Sequence, residues 1–464
     1  MIRLLSTYFP KRTLFLGISE VCLITFAFLA ATVARLGSGA KPYLLNQQHG
    51  SFKILLASLA IITCMYYFDL YDSTVLGNRR EVIIRLIQVL GTVYSLSVLA
   101  YYLYPPLELG RGIFVIGLVL VALLLSLWRE LFLMVNRAPE FAARTLILGD
   151  GPMGDFLARE LALRPELGMR VVAHLKNFEN GNGLSALAAS KEHTQTLLSS
   201  VKFYNPDHIV VAFGERRGCL PLEALLELKS HGVNIHDSAE LYEAVTGKVP
   251  IENLRLSWLL FSPGSHVSRG LWAIKRAVSW VLSFISVVAT MPLMALIGLL
   301  IYLDTGGPVI FQQERTGRDS NIFTLYKFRT MVVGSDVDEK HRPTLITDSR
   351  FTRVGRVLRR THLDELPQLF NILLGDMDFI GPRPFVPHEE RECLEGIPHY
   401  RQRWAIRPGL TGWAQVNRGY NATLEDNKEK LAYDLFYIKN QSVGLDLLIL
   451  LKTMKVVLLG RGSR

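Results

Sequence analysis

Residues Val278–Tyr302 read VSWVLSFISVVATMPLMALIGLLIY, an apolar run with Pro292 in its middle. Such a run is long enough to cross a bilayer, which takes about 20 apolar residues. Three features predict that it does not cross. Pro292 removes a backbone donor and kinks a helix where it stands. Lys275 and Arg276 precede the run while Arg315, Arg318 and Lys327 follow it, so the basic residues favour neither direction. The chain on either side has the composition of folded, water-facing domains. A helix over about 272–303 that enters, breaks and leaves by one face satisfies all three.

Upstream, the first third of the chain holds four more apolar stretches, about Leu14–Val33, Ile54–Leu70, Leu86–Tyr104 and Ile113–Met134. Arg3, Lys11 and Arg12 precede the first, Arg79, Arg80 and Arg85 separate the second and third, and Arg129, Arg137 and Arg144 end or follow the fourth. The other two loops hold Arg35, Lys41 and Lys53, and Arg111 alone. Basic residues favour the cytoplasm, so both ends of this group of helices are expected inside. The first run is long and more spans follow, so it is expected to be retained and not cleaved as a signal peptide. Glu20 and Asp69 fall near helix ends and are expected at the membrane interface.

From Ala143 the pattern changes. Thr145–Leu148 reads as a strand, Gly149-Asp150-Gly151-Pro152-Met153-Gly154 opens a helix, and Arg170–Leu175, His208–Phe213 and Val233–His236 read as further strands. Strands alternating with helices predict a parallel, Rossmann-like α/β domain. A bound dinucleotide would need an acid at the end of the second strand. That strand ends in Leu175-Lys176-Asn177, and Glu179 comes late, so NAD binding is not expected. Ser262-Pro263-Gly264-Ser265 centres a linker over Trp258–Gly270.

The whole chain has 464 residues, half of them hydrophobic, and a net charge of +10. That is too apolar for an ordinary soluble enzyme. On a membrane protein the simplest partner for such charge is the anionic lipid surface, followed by nucleotide and lipid phosphates; nucleic acid is not expected. Cys22, Cys64, Cys219 and Cys393 are scattered without metal-site spacing, which fits a reducing compartment. The apolar run Leu447–Gly460 is short and contains Lys452 and Lys455, so it reads as an in-plane interfacial helix.

Downstream of the central run stand Lys327-Phe328-Arg329-Thr330-Met331, then Arg359-Arg360-Thr361-His362-Leu363-Asp364-Glu365-Leu366-Pro367 and Gly381-Pro382-Arg383-Pro384. Arg407-Pro408-Gly409-Leu410-Thr411-Gly412-Trp413 follows. Pro367 is tolerated only in a first helical turn, so Asp364 and Glu365 are expected at the amino end of a helix, where free amides suit a phosphate. Adjacent residues there point about 100° apart, so one carboxylate can attack phosphorus while the other holds a cation. Mg²⁺ is the expected ion, because it binds through one or two carboxylates plus substrate phosphates. Taken alone, such a pair is far more often an ordinary N-cap and an exposed first-turn acid.

Together these motifs resemble the bacterial polyprenyl-phosphate glycosyl-1-phosphate transferases, over roughly residues 266–464. The resemblance implies that Asp364 is the nucleophile, that Glu365 is a metal ligand, and that Arg359 and Arg383 bind phosphate. It places Lys327 and Arg329 on the segment shaping the nucleotide site, where their alternative role is to reach lipid headgroups. It also makes Asp434 an acid near the metal, and Arg407 and Gln415 candidates in the nucleotide-binding loop. His362 is expected to be packing or surface. The family has Ser-Pro at the helix break; here Met291-Pro292 stands there, and Thr290 is expected to bond a freed carbonyl.

The implied architecture is membrane α plus α/β. A four-helix transmembrane domain covers 1–142 and a Rossmann-like domain covers 143–262. A mainly α, monotopic catalytic domain with the re-entrant helix covers 263–464. The implied reaction moves a sugar-1-phosphate from a UDP-sugar to undecaprenyl phosphate through an aspartyl-phosphosugar, at the cytoplasmic membrane, with both water-facing domains inside. The neighbourhood Gly247-Lys248-Val249-Pro250-Ile251 resembles the polymer-export subgroup and favours a hexose, with glucose slightly ahead of galactose or an N-acetylated hexose. Membrane lipids are expected partners, and a homo-oligomer is left open. A nucleotide-sugar dehydratase is disfavoured because no tyrosine is followed four residues later by lysine. The remaining rival is a non-enzymatic scaffold or nucleotide sensor.

Overall fold

The computed structural model describes residues 2–4, 7–9, 11–44, 49–176, 184–213, 220–253, 269–334, 350–418 and 423–458. The expected linker around Ser262 lies outside the described residues, as do Glu179 and Cys219. The chain falls into two compact units, which divide between Leu241 and Tyr242; Arg3–Tyr8 group with the second.

The first unit begins with four long helices: α1 (Lys11–Leu36), α2 (Gly50–Tyr67), α3 (Arg79–Leu103) and α4 (Arg111–Arg137). Each is long and apolar enough to cross a membrane. Ile24 and Phe28 of α1, Ile61 and Met65 of α2, Val89 of α3 and Leu125 of α4 share one core. Phe26, Leu59, Ile87 and Leu127 point outward instead, which a surrounding lipid phase favours. Glu20 corrects its interfacial expectation. It is fully buried and accepts hydrogen bonds from Arg129 Nε at 2.6 Å and Nη2 at 3.2 Å. Arg129 Nη1 also donates to the Leu70 carbonyl at 3.0 Å. A charge inside an apolar bundle survives only when paired, and Arg129 supplies the partner from another helix. Asp69 does lie at a helix end, 3.4 Å from Arg85.

The sheet of this unit is fully parallel. Its strands are β1 (Ala143–Leu148), β2 (Met169–Leu175), β3 (His208–Val211) and β4 (Asn234–Asp237), in the order β2-β1-β3-β4. Helices α5 (Pro152–Leu163), α6 (Leu184–Tyr204) and α7 (Leu222–Ser230) make the crossovers. At the glycine-rich turn, His174 Nε2 bonds the Gly149 carbonyl at 2.8 Å, and Lys176 ion-pairs Asp155 at 2.6 Å. The end of β2 is thus committed to its own neighbours.

The second unit opens within α8 (Ser238–Thr246) and the segment after it. Val249 and Ile251 are buried in a core built mainly from α14 (Leu424–Lys439) and α15 (Val443–Leu458). The Val249 amide donates to the Ala432 carbonyl at 3.1 Å, and buried Glu243 accepts from Lys439. The core of the second unit therefore starts well before Ser265, because its helices leave an apolar gap that this segment fills.

The central run forms α9 (Arg269–Thr305), one helix with Pro292 inside. Val287, before the proline, packs with Leu325, Leu369 and Ile372, and Ile297 and Ile301, after it, pack with Phe328 and Leu358. Thr290 departs from its expected role. Its hydroxyl donates to the Ser286 carbonyl at 2.7 Å, whereas the carbonyl that Pro292 leaves free in an i to i−4 ladder belongs to Val288. An antiparallel pair follows, β5 (Ile310–Thr316) and β6 (Ile322–Phe328). Then come α10 (Arg353–Thr361), α11 (Gln368–Leu374), β7 (Asp378–Ile380), α12 (Pro387–Gly396), β8 (Gly409–Thr411) and α13 (Trp413–Asn417). β7 and β8 pair in parallel and bring two motifs together. A Cβ on Gly409 would stand 2.0 Å from the Gly381 nitrogen, so this backbone approach requires glycine.

Candidate active site

The acid pair sits between α10 and α11. α10 starts on Thr352, whose side chain accepts from the Gly355 amide, and ends on His362 in the left-handed conformation (φ 57°). That reversal starts a single 3-10 turn, Leu363–Glu365. The acids therefore precede α11, with Pro367 as its N-cap residue, and do not form its first turn as the proline suggested. A 3-10 turn is tighter than an α-turn and directs the neighbouring carboxylates differently. His362 is half-buried in the cavity wall, and its contribution is this backbone reversal.

Asp364 is 8% exposed, and its Oδ1 is buried with no hydrogen-bond partner. Burial pushes its carboxyl above the usual range, against the lowering influence of Lys327 and Arg359. Glu365 is placed differently. Lys327 Nζ reaches its Oε1 at 3.1 Å and Arg383 Nη2 reaches the same atom at 2.7 Å. Burial opposes its ionisation, but these two cations outweigh it and hold Glu365 well below the ordinary carboxylate range. Lys327 is lowered by burial. Two adjacent carboxyls thus have unlike environments, one paired with two cations and one with a buried oxygen that has no partner.

Both acids open into a cavity of about 1730 Å³, larger than the roughly 300–1,000 Å³ of a usual ligand site. Lys327, Arg329, Arg359, Arg383 and Gln415 also line it. Arg329 is 5% exposed. Its Nη2 binds the Thr305 hydroxyl and the Gly306 carbonyl, which leaves Nε and Nη1 buried without partners. Gln415 Nε2 donates to the Leu410 carbonyl at 3.1 Å, and its Oε1 is likewise unpartnered. Buried donors and acceptors without protein partners are uncommon, and these lie on residues that line the cavity.

Two of the nine candidate residues are placed elsewhere. Arg407 lies over the Trp272 ring at 4.5 Å and 4.0 Å from Asp378, outside the cavity lining. Asp434 is buried beneath Arg403, whose Nε donates to it at 2.7 Å. Arg403 Nη2 donates in turn to the Arg383 carbonyl at 2.6 Å, and its guanidinium stacks on Phe385 at 4.3 Å. Arg403 escaped notice in the sequence because no motif surrounds it. Its chain of contacts fixes the backbone of the arginine that meets Glu365.

Among the described residues, no group of three or more His, Cys, Asp or Glu side chains is arranged for a metal. The donors present nonetheless suit Mg²⁺. Glu365 stands ionised in the cavity lining, and this ion takes one or two carboxylates plus phosphate oxygens.

Residues 271–460 match the family model for bacterial sugar transferases. The chain is 41% identical to the UDP-N-acetylgalactosamine-undecaprenyl-phosphate N-acetylgalactosaminephosphotransferase of Aeromonas hydrophila, over 50% of this chain and 54% of that protein. It is 29% identical to the UDP-glucose:undecaprenyl-phosphate glucose-1-phosphate transferase of Xanthomonas campestris pv. campestris, over 98% of this chain and 96% of that protein. A Caulobacter vibrioides protein of the same description is 36% identical over 51% of this chain and 83% of its own length. The matched part thus spans about half of the Aeromonas protein and nearly all of the Xanthomonas one.

Proposed function

The chain belongs to the bacterial sugar transferase family, and we propose that it transfers a sugar-1-phosphate from a UDP-sugar to undecaprenyl phosphate in two steps. In the first, an Asp364 carboxylate oxygen attacks the β-phosphorus of the UDP-sugar. The bond from that phosphorus to the bridging oxygen breaks, and UMP leaves with the electron pair. In the second, a phosphate oxygen of the lipid attacks the same phosphorus and releases the aspartate carboxylate. The sugar–phosphate bond stays intact, and neither step needs a net proton. A covalent intermediate divides one hard displacement into two easier ones.

The observation that carries this reading is Asp364 itself, which lines a cavity with Lys327, Arg359 and Arg383 and has a buried Oδ1 without a partner. The guanidinium forks suit phosphate oxygens, and the orphan donors of Arg329 add a further anion contact. Glu365, held ionised by Lys327 and Arg383, is the residue to hold Mg²⁺ together with the substrate phosphates. That ion, when bound, neutralises charge building on the transferred group.

The reading includes a re-entrant α9. Lys275 near its start donates to Tyr437, and Thr305 at its end receives a hydrogen bond from Arg329. Both ends of the helix are thus tied to one folded unit, which supports entry and exit by the same, cytoplasmic face. Glucose is the favoured sugar, in line with the relative matched over nearly its whole length. The test is mass spectrometry of the chain after incubation with UDP-glucose and Mg²⁺ without acceptor. A hexose-phosphate mass on the peptide holding Asp364 is expected. Its absence, with UMP released only when lipid phosphate is added, would favour direct attack by the acceptor.

A further inference from the structure

The cavity is far larger than a nucleotide-sugar headgroup requires, and its wall changes character with distance from the acids. Near Asp364 and Glu365 it is basic. One part of the remaining wall is made by Ser286 and Thr290 of α9, Leu410 of β8, and Thr453, Val456 and Val457 of α15, while other parts carry charged residues such as Arg360, Arg391 and Glu392. These three elements are physically joined. Leu410 packs into the cluster of Val287 and Leu369, and the Thr411 and Thr453 hydroxyls bond at 2.6 Å.

Outside this wall both bounding helices are mainly apolar, with Lys455 the charged exception near the end of α15. On α15, Leu447 (53% exposed), Leu451 (40%) and Met454 (52%) follow helical spacing along one face, and Val457 (49%) continues it. Lys452 is turned away from that face, its Nζ on Asn417 Oδ1 at 2.7 Å and over the Trp413 ring. On α9, Ile285, Val288 and Met291 are each more than half exposed. An apolar cleft that begins at a phosphate-binding centre and opens between two greasy helices suits a phosphate carrying a long hydrocarbon tail.

We propose that the isoprenoid chain of the acceptor leaves the catalytic cavity through this cleft, between α9 near Pro292 and the carboxy-terminal turns of α15. Val456 and Val457 then contact isoprene units beyond the first. The proposal rests on reading the acid pair as a sugar-phosphate transferase.

The test compares full-length wild type with Val456→Trp and Val457→Trp in detergent micelles. Acceptors are undecaprenyl phosphate and a five-carbon prenyl phosphate too short to reach α15, and rates are normalised to the Asp364 adduct formed before acceptor is added. The KM ratio of long to short acceptor should rise about tenfold, the effect of losing contact with roughly two methylenes. Equal ratios in all three proteins would overturn the proposal. Photolabelling of the wild type does not depend on the variants. A long-chain prenyl phosphate with a diazirine near its head should mark the peptide holding Thr453–Val457, and unlabelled prenyl phosphate should compete. Competition by phospholipid to the same degree would assign the cleft to bulk lipid and overturn it too. Failure of the wild type to form the adduct at all would instead defeat the underlying reaction.

Discussion

Asp364 and Glu365 are neighbours in sequence and opposites in environment. Glu365 accepts from both Lys327 and Arg383, whereas Asp364 keeps an oxygen without a partner. Asp364→Asn should therefore reduce UMP release to background, with or without acceptor. Glu365→Gln should cost about ten- to a hundredfold, as loss of a metal-supporting group does, and excess Mg²⁺ should recover part of it. Equal behaviour of the two variants in a UMP-release assay would remove the division of labour. Acidity separates them as well. Burial raises the Asp364 carboxyl, and the attacking form is the deprotonated one, so the first step should slow as pH falls through this raised pKa. Arg359 lowers that pKa by its charge, so Arg359→Gln should move the acid limb of the first-step rate to higher pH. A pH–rate profile of adduct formation decides it, and an unmoved limb would detach Arg359 from Asp364. These residues were legible as a group because each sits in a local string of charged residues, glycines and prolines. Arg403 and the placement of Asp434 were not, because their meaning lies in a pairing between segments distant in the sequence.

At the level of elements, periodicity and composition located the apolar helices and parallel strands, while junctions depended on packing. Pro367 signalled a helix start but could not show that a 3-10 turn intervenes after a left-handed His362. Val249 and Ile251 look like ordinary linker residues, and only the gap beside α14 makes them core. α14 also carries Asp434 to Arg403, which holds the Arg383 backbone. Asp434→Asn should leave buried Arg403 with only Glu390, 3.9 Å away, as counter-charge, costing roughly 1.5–3 kcal/mol of stability. Activity should fall with it, and excess Mg²⁺ should not restore it. Thermal unfolding followed alongside Mg²⁺ titration separates the roles, since recovery of activity by Mg²⁺ at unchanged Tm would make Asp434 a metal ligand after all.

For the whole molecule, the compact unit from Tyr242 onward contains the acid pair and the residues around it. A fragment of residues 242–464 should release UMP in detergent. One of residues 266–464 should be less stable, because each lost apolar side chain, Val249 and Ile251, contributes about 1.5–3 kcal/mol. Equal melting temperatures would show that the segment is dispensable. Membrane sidedness follows from a different balance. Loop charges predict that residues 37–51 and 105–112 face away from the cytoplasm. At about 1.5 Å per residue, α9 is amply long to cross. Yet Ile297 and Ile301, beyond Pro292, pack on Phe328 and Leu358, and Val287, before it, packs on Leu325 and Leu369. A crossing helix would carry its second half away from those partners or drag charged residues such as Lys327 into the hydrocarbon, which is costly. Single cysteines introduced at Ser38 or Glu108 should therefore react with an impermeant thiol reagent added outside intact cells. Cysteines at exposed Ser320 should react only after permeabilisation. Labelling at Ser320 from outside would mean that α9 crosses, and would put the acid pair on the face opposite to the supply of UDP-sugar.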